Sequence, residues 1–248
     1  MLRLALLLLA LAFPVRAEEV VAALSQNRVS IDTNFDGSEI LVFGAIKRER
    51  PVPPGDLGVI VTIAGPSEPV IVRRKSRAFG IWVNTDEVEI DRAPSFYAVA
   101  TSAPWNEVIT DTEDLRHRIS IGRAIRSVGA EVTDSPNFTE ALIRLRLRAG
   151  LYDTSLETVE VADATLFSTV VALPANLTEG NYTVRFFLTR DGQVIDRRKT
   201  TIFVRKVGLE RFLFTLAHEQ PLLYGLLSIA IAIGAGWGAS AVFRYMRS

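Results

Sequence analysis

Four basic side chains crowd into five positions at Arg73, Arg74, Lys75 and Arg77, just ahead of Trp82 and Asn84. On an extended chain, side chains two apart share a face, so Arg73, Lys75 and Arg77 would stand in a row. Beside an indole and an amide, three such cations can hold an oxyanion or an acidic patch on a partner. The same row also describes a solvated strand edge, kept by its charges from pairing with other chains. Both readings stay open at this level.

No other residue set points to a reaction. His117 and His218 are the only histidines and there are no cysteines, so a zinc or copper site would need carboxylates for most of its ligands. His218-Glu-Gln-Pro221 lacks the second histidine of a metalloprotease helix, and a polar cap at a helix end is the plainer role for His218. Gly-x-Ser-x-Gly is absent, and two scattered histidines make a hydrolytic triad improbable. We therefore expect no catalytic residues, no metal, no cofactor and no enzymatic activity.

The elements that position the basic cluster are set by the two ends of the chain. Pro221–Phe243 is an uncharged apolar run, roughly 34 Å long as a helix and enough to cross a ~30 Å hydrocarbon core. Arg244 and Arg247 follow, which favours a cytoplasmic tail over 244–248. At the other end Arg3 precedes the apolar stretch Leu4–Phe13, and Val15 and Ala17 suit the small-residue positions of a cleavage site. The spacing predicts a signal peptide over 1–17, with an uncleaved anchor as the alternative. The chain then reads as a single-pass protein of a bacterial inner membrane, its N-terminal part periplasmic and its C-terminus cytoplasmic. The absence of cysteine suits an exported domain held by core packing alone. With Arg3, Arg16, Arg244 and Arg247 set aside, 24 basic residues face 28 acidic ones, so nothing electrostatic favours nucleic acid.

The exported part reads as mainly β. A β-sandwich-like region spans 18–103, with strands expected at Val29–Thr33, Ile40–Ile46, Gly58–Ala64, Val70–Lys75, Gly80–Asn84, Val88–Asp91 and Phe96–Thr101. Gly44 inside the second of these marks either a buried strand or a bulge. A helical insert spans 104–150. One helix starts near Thr112, with Arg116, His117, Arg118, Arg123 and Arg126 complementing its dipole, and another opens at Ser135-Pro136 and stops at Gly150. Ile143–Arg148 alternates strictly and could be a strand, but the bracketing start and stop signals favour helix. A second β region spans 151–206 and is short of strands for a sandwich of its own. Its hairpin, Tyr182–Arg190 and Gln193–Arg205 about Asp191-Gly192, has type I′ turn chemistry. Leu177–Val184 resembles the tyrosine corner of immunoglobulin-like sandwiches, and Pro94–Val99 echoes it loosely. Leu209, Phe212, Leu213 and Leu216 form one stripe within 207–220, which suits an amphipathic juxtamembrane helix or a helix packed on the β domain.

The segments Ile40–Ala45, Val72–Lys75, Gly80–Thr85, Glu140–Arg144, Leu173–Asn176, Val204–Val207 and Ala217–Gly225 resemble the alphaproteobacterial putative transmembrane protein family. That resemblance covers nearly the whole mature chain. It implies a signal peptide, an exported domain and one C-terminal membrane helix, and no activity. It also hints at a partner resembling sulfite-exporter-type permeases. The expected role is a non-enzymatic accessory or interaction subunit of a membrane complex, with a multi-span permease as partner. The alternative is a periplasmic module that captures a small anion on Arg73, Arg74, Lys75, Arg77, Trp82 and Asn84 and presents it to that permease. Within the membrane run, Gly234 and Gly238 form a GxxxG face on which two helices can approach closely, as a homodimer or against the permease. Replacing both glycines with Leu is expected to lower self-association several-fold in a membrane two-hybrid reporter.

Overall fold

The computed structural model describes residues 18–32, 35–49, 51–127, 134–207 and 209–246. Residues 1–17, where a signal peptide is expected, and residues 247–248 lie outside these. The protein is mainly β, with β1 (Glu18–Leu24), β2 (Arg28–Ile31), β3 (Gly37–Arg48), β4 (Leu57–Ala64), β5 (Ser67–Ala78), β6 (Ile81–Pro94) and β7 (Tyr97–Thr101) preceding the helical insert. The insert holds α1 (Trp105–Val108), α2 (Asp111–His117), α3 (Ile121–Ala124) and α4 (Ser135–Arg148). After it come β8 (Tyr152–Ser155), β9 (Glu160–Ala162), β10 (Leu166–Pro174), β11 (Gly180–Arg190) and β12 (Gln193–Lys206), then α5 (Leu209–Glu219) and α6 (Pro221–Met246).

Strands from before and after the insert share both large sheets. One is four-stranded in the order β1-β3-β10-β9, and the other six-stranded in the order β2-β12-β11-β4-β7-β8. The second β region therefore completes its sheets with strands of the first. In the six-stranded sheet β4 is buried from Gly58 to Ile63, which is why it reads as an apolar run interrupted only by Thr62 and not as an alternation. Each of its faces meets a different layer. Val61 lies opposite Phe186, whose ring packs 6.1 Å from Phe167 of the four-stranded sheet. Ile60 lies opposite Phe187, and both enter a second core with Tyr97, Ile119, Phe138, Leu142 and Tyr152. The insert thus roofs the sheet, and the parallel pairing of β7 with β8 requires the long crossover it supplies.

Several local readings stand in the structure. The turn between β11 and β12 has Asp191 at φ 50° and Gly192 at φ 74°, as type I′ demands. The Tyr182 hydroxyl donates to Thr178 O at 2.8 Å, the hydrogen bond of a tyrosine corner, and burial pushes its phenol up to about 12. Tyr97 makes no such corner: its hydroxyl donates to Ile119 O at 2.7 Å, across to the insert. Gly44 sits in a regular strand without a bulge. A Cβ there would strike the Phe167 ring and stand 2.6 Å from Val21 O, so close packing excludes any larger residue. Ile143–Arg148 is helical, with Phe138 and Leu142 buried along α4.

Two expectations are corrected. The helix near Thr112 does not run on to Arg123 and Arg126. It ends at His117, and Arg118 turns left-handed at φ 53°. Asp114 enforces the break by accepting from the Ile119 N–H at 3.0 Å, the Ser120 N–H at 2.7 Å and the Ser120 hydroxyl at 2.7 Å. Strand β1 was not foreseen, because its two alanines and paired glutamates carry weak β propensity. Pairing along all of β3 holds it in the sheet.

At the start of β1, Glu18 is clamped by two arginines. Arg48 Nε donates to it at 2.6 Å and Arg190 Nη2 at 2.8 Å, while Arg190 Nη1 also reaches Gly55 O at 2.8 Å. The three side chains are 3%, 10% and 10% exposed, so a broken pair strands charge inside the protein. Ser30–Phe35 and Arg205–Ser248 form a separate compact unit, in which the Val207 N–H donates to Ile31 O at 2.8 Å and the chain continues into α5 and α6. In this unit the membrane helix runs to Met246, three residues beyond the apolar run.

Burial alone would push the Glu18 carboxyl up, but the hydrogen bonds from Arg48 and Arg190 outweigh it and hold the group below the ordinary 4.5. Because the folded-state value is depressed, the clamp stabilises fully above about pH 4.5 and is lost as pH falls through the lower folded value. Glu18→Gln is expected to cost about 3 kcal/mol at pH 7 in denaturant unfolding, with the gap to wild type constant down to about pH 4.5 and narrowing below it.

Candidate functional site

The basic cluster lies on a two-stranded sheet of its own, the hairpin β5–β6. Isolated hairpins are marginal in water, and this one is secured at its base, where Val72, Val88 and Ile90 join the core under α4. Beyond Val72 the hairpin loses that cover. Its turn consists of Phe79 at φ 50° and Gly80 at φ 85°. Phe79 is fully exposed, Ile81 is 65% exposed and Trp82 68% exposed. A phenylalanine in the left-handed region costs of order 1–3 kcal/mol, and here no packing offsets it.

Register divides the expected site residues into two groups. Arg77 lies opposite Trp82, Lys75 opposite Asn84 and Arg73 opposite Glu87, so these six positions form neighbouring cross-strand pairs near the tip. Arg73 is ion-paired with Glu87 at 3.0 Å, whereas Lys75 and Arg77 carry no ion pair among the described residues. Arg74 belongs to the other face. Its guanidinium lies 4.6 Å from the Phe138 ring centroid, bonds Asp134, and is 3.8 Å from Asp86. Arg74 first, and then the Asn137 amide, hold the Asp134 carboxyl below its usual range. Between this face and α4 runs a groove of about 530 Å3, lined by Val72, Arg73, Arg74, Phe138, Arg144 and Arg148.

The sequence reading did not single out Phe79 and Ile81, nor the α4 arginines. Ser76 and Ala78 continue the alternation of β5, a signal that would have carried the strand to a turn at Phe79-Gly80. The approach of Arg144 to Arg74 has no local signal, since the two lie seventy positions apart on different elements. His218 does act on its own helix, with Nδ1 2.9 Å from Phe214 O and its ring stacked on Phe214. Added Cβ atoms at Gly234 and Gly238 would meet nothing within 4 Å, so that face of α6 is open. No group of three or more histidines and carboxylates that could hold a metal occurs among the described residues.

Among the described residues one helix, through its Pro221–Ser240 stretch, is long and apolar enough to cross a bilayer, and it follows a mainly β body, an arrangement that suits a membrane protein. The chain belongs to the family described as Putative transmembrane protein (Alph_Pro_TM), whose model matches residues 19–245. No curated protein matches the sequence. Among solved structures, the chain is similar to the crystal structure of Spo0M, a sporulation control protein from Bacillus subtilis. The identity is 11% and the TM-score 0.28, over 81% of this chain and 54% of that one. The chain thus spans about half the length of that protein, and so faint a likeness carries no argument.

Asn-Gly is the preferred type I′ pair, so Phe79→Asn is expected to stabilise the fold by about 1 kcal/mol, read as a higher melting temperature.

Proposed function

We propose that this protein is an accessory subunit of an inner-membrane complex, without catalytic activity, whose β body faces the periplasm and whose membrane helix has its C-terminal side in the cytoplasm. The observation that carries the reading is the bare tip of β5–β6, where Phe79, Ile81 and Trp82 stand exposed beside Lys75 and Arg77. Exposed aromatic side chains flanked by unpaired cations have the composition of an interface centre, and a strained turn residue retained against stability suits a docking element. The partner this favours is a multi-span permease with an acidic, apolar-centred periplasmic surface. The membrane helix would keep the two together, and its open Gly234/Gly238 face would pack on the partner or on a second copy. The immunoglobulin-like character of the body belongs to this proposal, and the tyrosine corner at Tyr182 supports it. A second reading, capture of a small anion at the hairpin, is favoured by the unpaired Lys75 and Arg77.

Affinity purification of the full chain in a mild detergent tests the docking role. Wild type is expected to bring down a membrane protein in fixed proportion, and Phe79→Asn/Trp82→Ser to recover at least tenfold less without a lower melting temperature. Undiminished recovery with the double variant refutes the docking role of the tip. Anion-dependent stabilisation lost in Lys75→Ala/Arg77→Ala would instead favour the second reading.

A further inference from the structure

A second basic region lies away from the hairpin tip, where the early end of α2 has consequences for the surface. Between the α2–α3 corner and the β6–β7 turn is a cleft of about 660 Å3, lined by Arg92, Arg118, Arg123, Arg126, Arg185 and Tyr97, among others. No carboxylate lines it among the described residues. Its volume falls within the range of small-molecule sites.

The floor is built. Arg185, half-buried on β11, donates from Nε to Thr62 Oγ1 at 3.2 Å and from Nη1 to His117 O at 2.8 Å. Its Nη2 donates to the Tyr97 hydroxyl at 2.9 Å and to Arg118 O at 2.9 Å. All four acceptors are neutral, and the guanidinium also lies 5.2 Å from the Phe187 ring centroid, so it is held rigidly with no carboxylate among its hydrogen-bond partners and one Nη1 N–H left over. Asp114 is the carboxylate whose charge Tyr97 senses, and it is committed to the Ile119 and Ser120 N–H groups. Burial pushes the Tyr97 phenol up, so it stays protonated and its own proton goes to Ile119 O.

The rim is cationic and faces solvent. Arg92 and Arg126 are fixed side by side through their backbones, each N–H donating to the other's carbonyl at 3.1 and 2.8 Å. Their side chains and those of Arg118 and Arg123 are exposed, and none makes an ion pair among the described residues. Five like charges around one concavity repel each other unless an anion enters, and guanidinium forks match the oxygens of a tetrahedral oxyanion.

We propose that this cleft binds a phosphate- or sulfate-type oxyanion, either free or as the head group of a larger molecule, with Arg185 as its fixed floor and Arg118, Arg123 and Arg126 closing over it. The full chain in an uncharged maltoside detergent is titrated calorimetrically with inorganic phosphate, with sulfate and with short-chain phosphatidylglycerol. Saturable binding of at least one probe is expected, weakened at least tenfold by Arg123→Glu/Arg126→Glu and unchanged by Arg28→Ala/Lys47→Ala, two exposed cations outside the cleft and the hairpin. Saturation by the inorganic ions identifies a free oxyanion; saturation by the phosphatidylglycerol alone identifies a head group. The reversed arginines are exposed, and an unaltered melting temperature confirms that the variant is folded. If no probe saturates, or if the charge-reversed cleft binds as wild type does, the proposal is overturned. Equal weakening by the Arg28/Lys47 variant also overturns it, since that would mean diffuse charge attraction. Partner recovery is read separately, so failure of the cleft and failure of the docking tip are distinguishable.

Discussion

The structure depends on one constraint: the strand β4 has no solvent-facing side. Its backbone is paired with β11 and β7, and the side chains of both faces are buried and, Thr62 apart, apolar, so two further layers must cover it. The four-stranded sheet supplies one through Phe167 on Phe186, and the insert with the base of the hairpin supplies the other through Phe138, Leu142 and Ile90. Removing the first would expose Val59, Val61 and Ile63 to water, and removing the second would expose Ile60 with Phe187 beside it. The insert is therefore structural as well as a carrier of surface chemistry.

That second layer explains where the functional candidates lie. A helix forced to stop at His117 by Asp114 turns its following arginines outward onto a corner, and the same loop offers its carbonyls to Arg185 beneath. The hairpin has a similar logic. Its base is needed to seal the core, and its tip extends past anything that could cover it. Both candidate surfaces are by-products of roofing a sheet that is apolar on both faces, and both carry charge or aromatic surface that folding alone does not require.

Much of the architecture is visible in local pattern. Asp191-Gly192 between two alternating runs specifies its turn, because only residues tolerant of positive φ fit there. The tyrosine at position 182 finds its partner four residues away, within reach of a motif. Tyr97, with similar neighbours, bonds a carbonyl twenty-two residues on, and no spacing rule predicts that choice. The basic cluster at 73–77 was visible as composition. Its division into a paired inner arginine and an unpaired outer Lys75 and Arg77 follows from register and a bulge, which are properties of two strands together.

By itself, the sequence determined the apolar C-terminal helix, the β character of the body and the chemistry of its tightest turn. Each rests on residues near one another in the chain, where periodicity and backbone preference act directly. Tertiary structure alone decided that β1 is a strand and that strands from both sides of the insert share sheets. It also decided that arginines from β6, α3 and β11 line one cleft. Those outcomes depend on which surfaces meet after collapse, and meeting is set by burial across the whole body, not by any neighbour in the chain.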